Sequence, residues 1–151
     1  MKPLALRTLA AAAVTSLLCA CAISTPFRGM APATDSAVLV VTHAVLDPRT
    51  RADFDAQTRN VVDGLPLQPG LLGYSVRREL LGNQVWTITV WADEAARARF
   101  VASALHREAM AEGSAAITSI RVRRFALPDG SLPVRWRQAL ELLDGPAPAR
   151  P

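Results

Sequence analysis

Among the 151 residues, the groups whose type and place in the pattern best suit moving a proton or holding an anion are the two histidines, the one tyrosine and a pair of arginines on the last strand. His106 sits in the middle of a helical stretch. Its imidazole titrates near neutral pH, which suits a general base at the mouth of a cavity. The plainer reading is a hydrogen-bonded helix residue at a subunit edge. His43 lies in an apolar first strand, where a histidine either faces a cavity or is a satisfied core residue. Tyr74 offers a hydroxyl to a substrate oxygen or caps an edge pair. Arg121 and Arg123 share one face of the last strand, so they hold an anionic ligand, meet acidic residues of a partner, or are solvated. Trp86 and Trp91 fall on opposite faces of one strand.

Other chemistry is absent from the pattern. The histidines are far apart in sequence, and neither has a carboxylate or thiol at ligand spacing, so no metal site is expected. There is no Gly-rich phosphate loop and no G-x-S-x-G. The basic residues are nearly all arginine, with Lys2 the only lysine, and no aromatics interleave with them. Nucleic-acid binding is not expected.

The elements that must position these residues follow from periodicity. Ala37 to Leu46 is apolar and β-branched on both faces, a strand covered on both sides. Asp47-Pro48 signals a helix start, and the helix runs to about Val62 before Asp63-Gly64. Its apolar face is Phe54, Val61, Val62 and Leu65. Leu71 to Leu80 and Gln84 to Trp91 are strands joined by a Gly82-Asn83 turn. Asp93 caps a second helix, Glu94 to about Glu112, and Ile117 to Leu127 is the fourth strand. This β-α-β-β-α-β order is that of an α+β, ferredoxin-like fold. Two helices cover only one face of such a sheet, so a second copy is expected on the other. Pro133 to Asp144 reads as a short helix with Trp136, Leu140 and Leu143 on one stripe.

The N-terminus reads differently. Lys2 and Arg7 precede an uncharged run from Leu9 to Leu18, about 15 Å as a helix against a hydrocarbon core of about 30 Å. That is the size of a signal-peptide core, not of a membrane span. Leu18-Cys19-Ala20-Cys21 resembles a bacterial lipobox, which implies acylation of Cys21 and cleavage after Ala20. Multiple acyl chains anchor a protein stably. Ala22 follows the cysteine where aspartate often retains lipoproteins in the inner membrane. The expected place is therefore the bacterial cell envelope, on the outer membrane facing the periplasm. The chain divides into a signal peptide (1–20), a tether (21–35), a folded domain (36–128) and a C-terminal extension with a short helix (129–151).

Leu71-Leu-Gly-Tyr-Ser-Val, the Gly82-Asn83 hairpin, and Val85-Trp-Thr-Ile-Thr-Val-Trp91 followed by Phe100 and His106-Arg-Glu-Ala-Met110 resemble the antibiotic-biosynthesis monooxygenase (ABM) superfamily. The resemblance implies a dimeric α+β barrel. It spans cofactor-free quinone-forming oxygenases, heme-degrading oxygenases and isomerases, and fold does not choose among them. Heme-degrading members carry a tryptophan and a ligating histidine on the second helix and an asparagine on the first strand. Here those places hold Phe100, Met110 and Thr42 or His43, so the chain departs from that pattern.

The reading that results is an envelope lipoprotein, a homodimer, acting as a cofactor-free monooxygenase on an aromatic or quinol-like small molecule. His106 is its base; His43, Tyr74, Trp91, Phe100, Met110 and Arg121 are its ligand contacts. The alternatives are a non-catalytic binder of heme or another small apolar ligand, and a structural envelope lipoprotein.

Overall fold

The computed structural model describes residues 21–127 and 132–146. The signal peptide expected at 1–20 and the turn that the sequence places at 128–131 lie outside the described residues. The central sheet is antiparallel and contains β3 (Val38–Leu46), β4 (Leu71–Glu79), β5 (Gln84–Trp91) and β6 (Ile117–Ala126). Their spatial order is β4-β5-β3-β6, with two short strands, β1 (Ala22–Ser24) and β2 (Arg28–Gly29), on the outer edge of β4. This is the expected ferredoxin-like sheet.

Register sorts the side chains onto two faces. His43 opposes Trp86 on one neighbour and Arg121 on the other, while Thr42 opposes Thr87 and Val122. Odd residues of β3 therefore share a face with Trp86, Ile88 and Val90. Even residues share the other face with Val85, Thr87, Thr89 and Trp91.

The second face is covered by α1 (Arg51–Gly64), α2 (Glu94–Val101) and α3 (Ala104–Gly113). Asp47 caps as expected, its carboxylate accepting from the Arg49 N–H at 2.9 Å, but the turn it starts is a 3-10 turn that runs into α1. The helix expected from Glu94 to Glu112 is two helices. Ala102 and Ser103 interrupt it, and the Ser103 hydroxyl accepts from the backbone N–H of His106 at 3.2 Å, restarting the chain as α3. A serine N-cap inside an apolar run was the available signal.

The first face overturns two expectations. The supposed tether at 21–35 is laid along the sheet edge: Ala22 opposes Glu79, and Arg28 opposes Tyr74. Gly73 makes this possible, because a Cβ there would run into the ring of Phe27. The face expected to await a second copy is covered over much of its area by the chain itself. Phe27, Ala33, Val134 and α4 (Trp136–Asp144) pack on Leu39, Val41, Leu72, Ile88 and Val90. The Trp136 indole donates to the buried Ser75 hydroxyl at 2.9 Å, and that hydroxyl donates to the Thr25 carbonyl at 2.8 Å. One serine thus pins both terminal segments to β4. Short amphipathic α4 has a single apolar stripe, and this face is where it can bury it.

The seal should therefore be apolar in origin. Leu143→Ala is expected to lower folding stability by about 2–5 kcal/mol, whereas Asp144→Ala, which removes an exposed ion pair with Arg121, should cost about 1 kcal/mol or less. Urea denaturation of both variants checks this. A larger loss for Asp144→Ala would contradict it.

Candidate functional site

Between the helices and the second face the packing is incomplete. A cavity of about 280 Å³ remains, walled by Val40, Phe54, Val61, Trp91, Phe100 and Ile120 among others. This is near the lower end for small-molecule pockets. Its lining is mostly apolar, broken by the hydroxyls of Thr42, Thr87, Thr89 and Tyr74 and by Arg97 and His106. Val101, Met110, Ile120 and Val122 line it and are also exposed, so one side opens to the surface through an apolar rim.

His106 reaches this cavity because of the helix break. The Ser103 cap places it in the first turn of α3, where the helix dipole disfavours a positive charge. Its ring packs edge-on against Phe100 with centroids 5.2 Å apart, and Phe100 stacks on Trp91 at 4.9 Å. Burial pushes the imidazole below its usual pKa; a hydrogen bond to the Val101 carbonyl acts the other way, and nearby Arg97 adds to the lowering. The net result is a neutral imidazole at pH 7. A neutral imidazole keeps one ring nitrogen with a lone pair able to accept a proton.

Tyr74 is buried and lines the same cavity. Arg28 Nη1 donates to its hydroxyl oxygen at 3.1 Å, so the phenolic proton stays available to a third group. β2, part of the supposed tether, thereby positions a cavity residue. Trp91 is fully buried, and its indole N–H donates to Thr89 at 3.0 Å.

Five of the expected contacts thus come together: His106, Tyr74, Trp91, Phe100 and Met110. Two expected ligand contacts do not. His43 stands on the opposite face, stacked on Trp86 at 4.9 Å and bonded to Gln84 at 2.7 Å. The strand period puts it there, since cavity residues of β3 are even-numbered. Arg121 stands on that face too and pairs with Asp144 of α4 at 2.9 Å; its partner is the chain's own cap. Arg123 follows on the same face, with one guanidinium nitrogen buried and without a hydrogen-bond partner. Sequence reading missed Arg97, which lies one turn before Phe100 and is bonded to Glu94 at 2.6 Å. Its spacing from Phe100 was the available signal. Among the described residues, no group of three His, Cys, Asp or Glu side chains gathers to hold a metal.

The lowered His106 pKa fixes a sign for stability. The unfolded chain protonates this group near pH 6.5 and the folded chain only at lower pH. Between these two values the unfolded state therefore binds more protons, and stability falls as pH falls through them; well above 6.5 this group contributes no pH dependence. His106→Gln should flatten the decline of the urea midpoint between pH 7 and about pH 5 relative to the parent chain. An unchanged slope would show that the ring is not held neutral.

Comparison with known proteins places this architecture. The profile of the antibiotic biosynthesis monooxygenase family matches residues 37–112. Among solved structures, SnoaB, a cofactor-independent oxygenase from Streptomyces nogalater, is similar at 21% identity with a TM-score of 0.56, covering 66% of this chain and 99% of its own. A Mycobacterium tuberculosis protein is similar at 17% identity and a TM-score of 0.58, covering 62% of this chain and 97% of its own. A Lactobacillus acidophilus NCFM protein is similar at 17% identity and a TM-score of 0.56, covering 68% of this chain; this chain spans 47% of that longer one. No curated protein matches. At these identities the structural likeness is one of fold, and it agrees with the profile, which spans half of the sequence and covers β3, β4, β5, α1, α2 and all but the last residue of α3: the chain belongs to the antibiotic biosynthesis monooxygenase family.

Proposed function

We propose that this protein is a cofactor-free monooxygenase acting on a phenolic or quinol-like aromatic small molecule. The observation that carries the reading is His106, half-buried against Phe100 at the wall of an apolar cavity, with burial pushing its pKa down. Such a wall excludes water and packs an aromatic ring against Phe100, which backs onto the buried Trp91. His106 takes the proton of the substrate hydroxyl, and the Tyr74 phenol donates to the oxygen that becomes negative. The electron-rich ring then reacts with molecular oxygen. A C–O bond forms, the ring hydrogen at that carbon is lost, and the peroxide O–O bond breaks. One oxygen atom stays as the new quinone carbonyl and the other leaves as water. The family and its cofactor-independent structural relative support this class of chemistry. No residue of the cavity is assigned to a cofactor in this scheme.

We place the protein in the bacterial envelope, acylated at Cys21 and facing the periplasm from the outer membrane; the lipobox-like run supports this. Among the described residues no helix is long and apolar enough to cross a membrane. Pairing of two copies belongs to the same reading, with the contact moved from the sealed area to the uncovered part of the sheet face, where His43 and Trp86 stack, and to the outer edge of β6. Sedimentation at micromolar concentration tests it, and a monomer would remove the pairing while leaving the cavity chemistry.

Two outcomes are expected. Oxygen uptake with a panel of quinols and naphthols should show turnover, and His106→Asn should lower kcat by about 10²–10⁴-fold without unfolding the chain. Ligand binding without oxygen uptake by the folded parent would instead favour a non-catalytic binder, and a Soret shift lost in His106→Ala would identify heme as its ligand. Metabolic acyl labelling should disappear in Cys21→Ser; labelling that persists would contradict the anchor.

A further inference from the structure

The β4–β5 hairpin ends in two leucines that the fold leaves in water. Leu81 is 62% exposed and Leu80 46%. Single exposed leucines are ordinary, but these have apolar company. β1 runs antiparallel to β4 at this end, with Ile23 opposite Arg78, and the Leu80 N–H donates to the Cys21 carbonyl at 2.8 Å. Cys21 immediately precedes β1 and Ile23 lies within it, and both Cys21 and Ile23 are exposed. The acceptor cysteine, one isoleucine and the leucine pair therefore form one apolar corner.

The corner is bordered by Arg51 and Arg78, while Arg77 points to the other face and lies over Trp86. Arg51 donates to the Glu79 carbonyl, and Arg78 keeps 44% of its side chain exposed. Both arginines pair with Asp55, and Glu79 accepts from the neutral Gln84, so positive and negative charge balance at this rim. An apolar tip with a polar, charge-balanced rim suits the headgroup–acyl boundary of a bilayer. The chain also leaves no slack here. The residue after Cys21 is already in the sheet, so acyl chains on Cys21 bring this corner to the bilayer.

We propose that Ile23 and the Leu80–Leu81 tip form a membrane-seating surface that acts with the lipid on Cys21 to hold the domain in one orientation on the bilayer. The proposal rests on the lipoprotein reading above. The leucines enter the headgroup–acyl boundary, where interfacial apolar groups lie about 5–10 Å deep.

The test uses the full chain, isolated from membranes and reconstituted in phosphatidylethanolamine–phosphatidylglycerol vesicles containing a shallow spin-labelled lipid quencher. An environment-sensitive fluorophore is attached through Leu81→Cys or, separately, through Leu67→Cys. Leu67 is 81% exposed and lies just before β4 begins, at the end of that strand away from the hairpin. Both positions are exposed, so neither label disturbs packing. Emission at position 81 should shift to the blue and be quenched, with neither change at position 67. Mass spectrometry of the same sample reports acylation of Cys21. An acylated chain whose label at 81 behaves like that at 67 overturns the seating surface and leaves the anchor standing. An unacylated Cys21 overturns the anchor, and the seating surface with it.

Discussion

The constraint behind this structure is a sheet with apolar side chains on both faces. Leu39, Val41, Ile88 and Val90 point one way, and Val40, Ala44, Val85 and Trp91 the other. Each face needs its own cover, because leaving such side chains in water forfeits about 1.5–3 kcal/mol apiece. The two covers differ in kind. The first face is sealed by α4 and the N-terminal segment, and Leu39, Val41, Ala139 and Leu143 lose essentially all contact with solvent. The second is roofed by three helices that do not fill the space beneath them. Tight packing on one side supplies the rigidity that incomplete packing on the other requires, and the cavity sits on the incomplete side.

The interruption at Ser103 turns that space into a chemical site. An unbroken helix from Glu94 would put residue 106 in a mid-helix position, with no capped first turn around it. The capped restart puts it in the first turn of α3, beside Phe100 and within reach of the Val101 carbonyl. Dipole, burial and the neighbouring Arg97 all oppose a charged ring. A single serine hydroxyl thereby links local helix chemistry to the protonation state of the one histidine in the cavity. The N-terminal segment contributes at the other wall, where Arg28 satisfies the Tyr74 oxygen and leaves its proton free for use.

Much of this was legible in the residues. Alternation in Val85 to Trp91 correctly assigned Trp91 and Trp86 to opposite faces, and periodicity placed Phe54, Val61 and Val62 on the inner side of α1. The sequence also suggested five of the cavity residues, because family-like spacing and strand period agreed there. His43 went astray because an apolar strand covered on both sides gives no sign of which cover holds the cavity. Arg121 was misread for a related reason, since its partner Asp144 lies in a segment whose docking site no local pattern specifies. The supposed tether looked aperiodic because β1 and β2 are too short to show alternation; their place depends on Gly73 admitting Phe27, a long-range fit.

The account depends most on a neutral His106 facing a ligand-accepting cavity, with His43 outside it. Proton NMR titration of both imidazoles, with and without a bound non-reactive naphthol ether, tests this directly. The account predicts that His106 titrates below pH 6.5 and that its ring resonances, unlike those of His43, move when the aromatic ligand binds. Titration of His106 at or above 6.5, or a ligand response confined to His43, would contradict it.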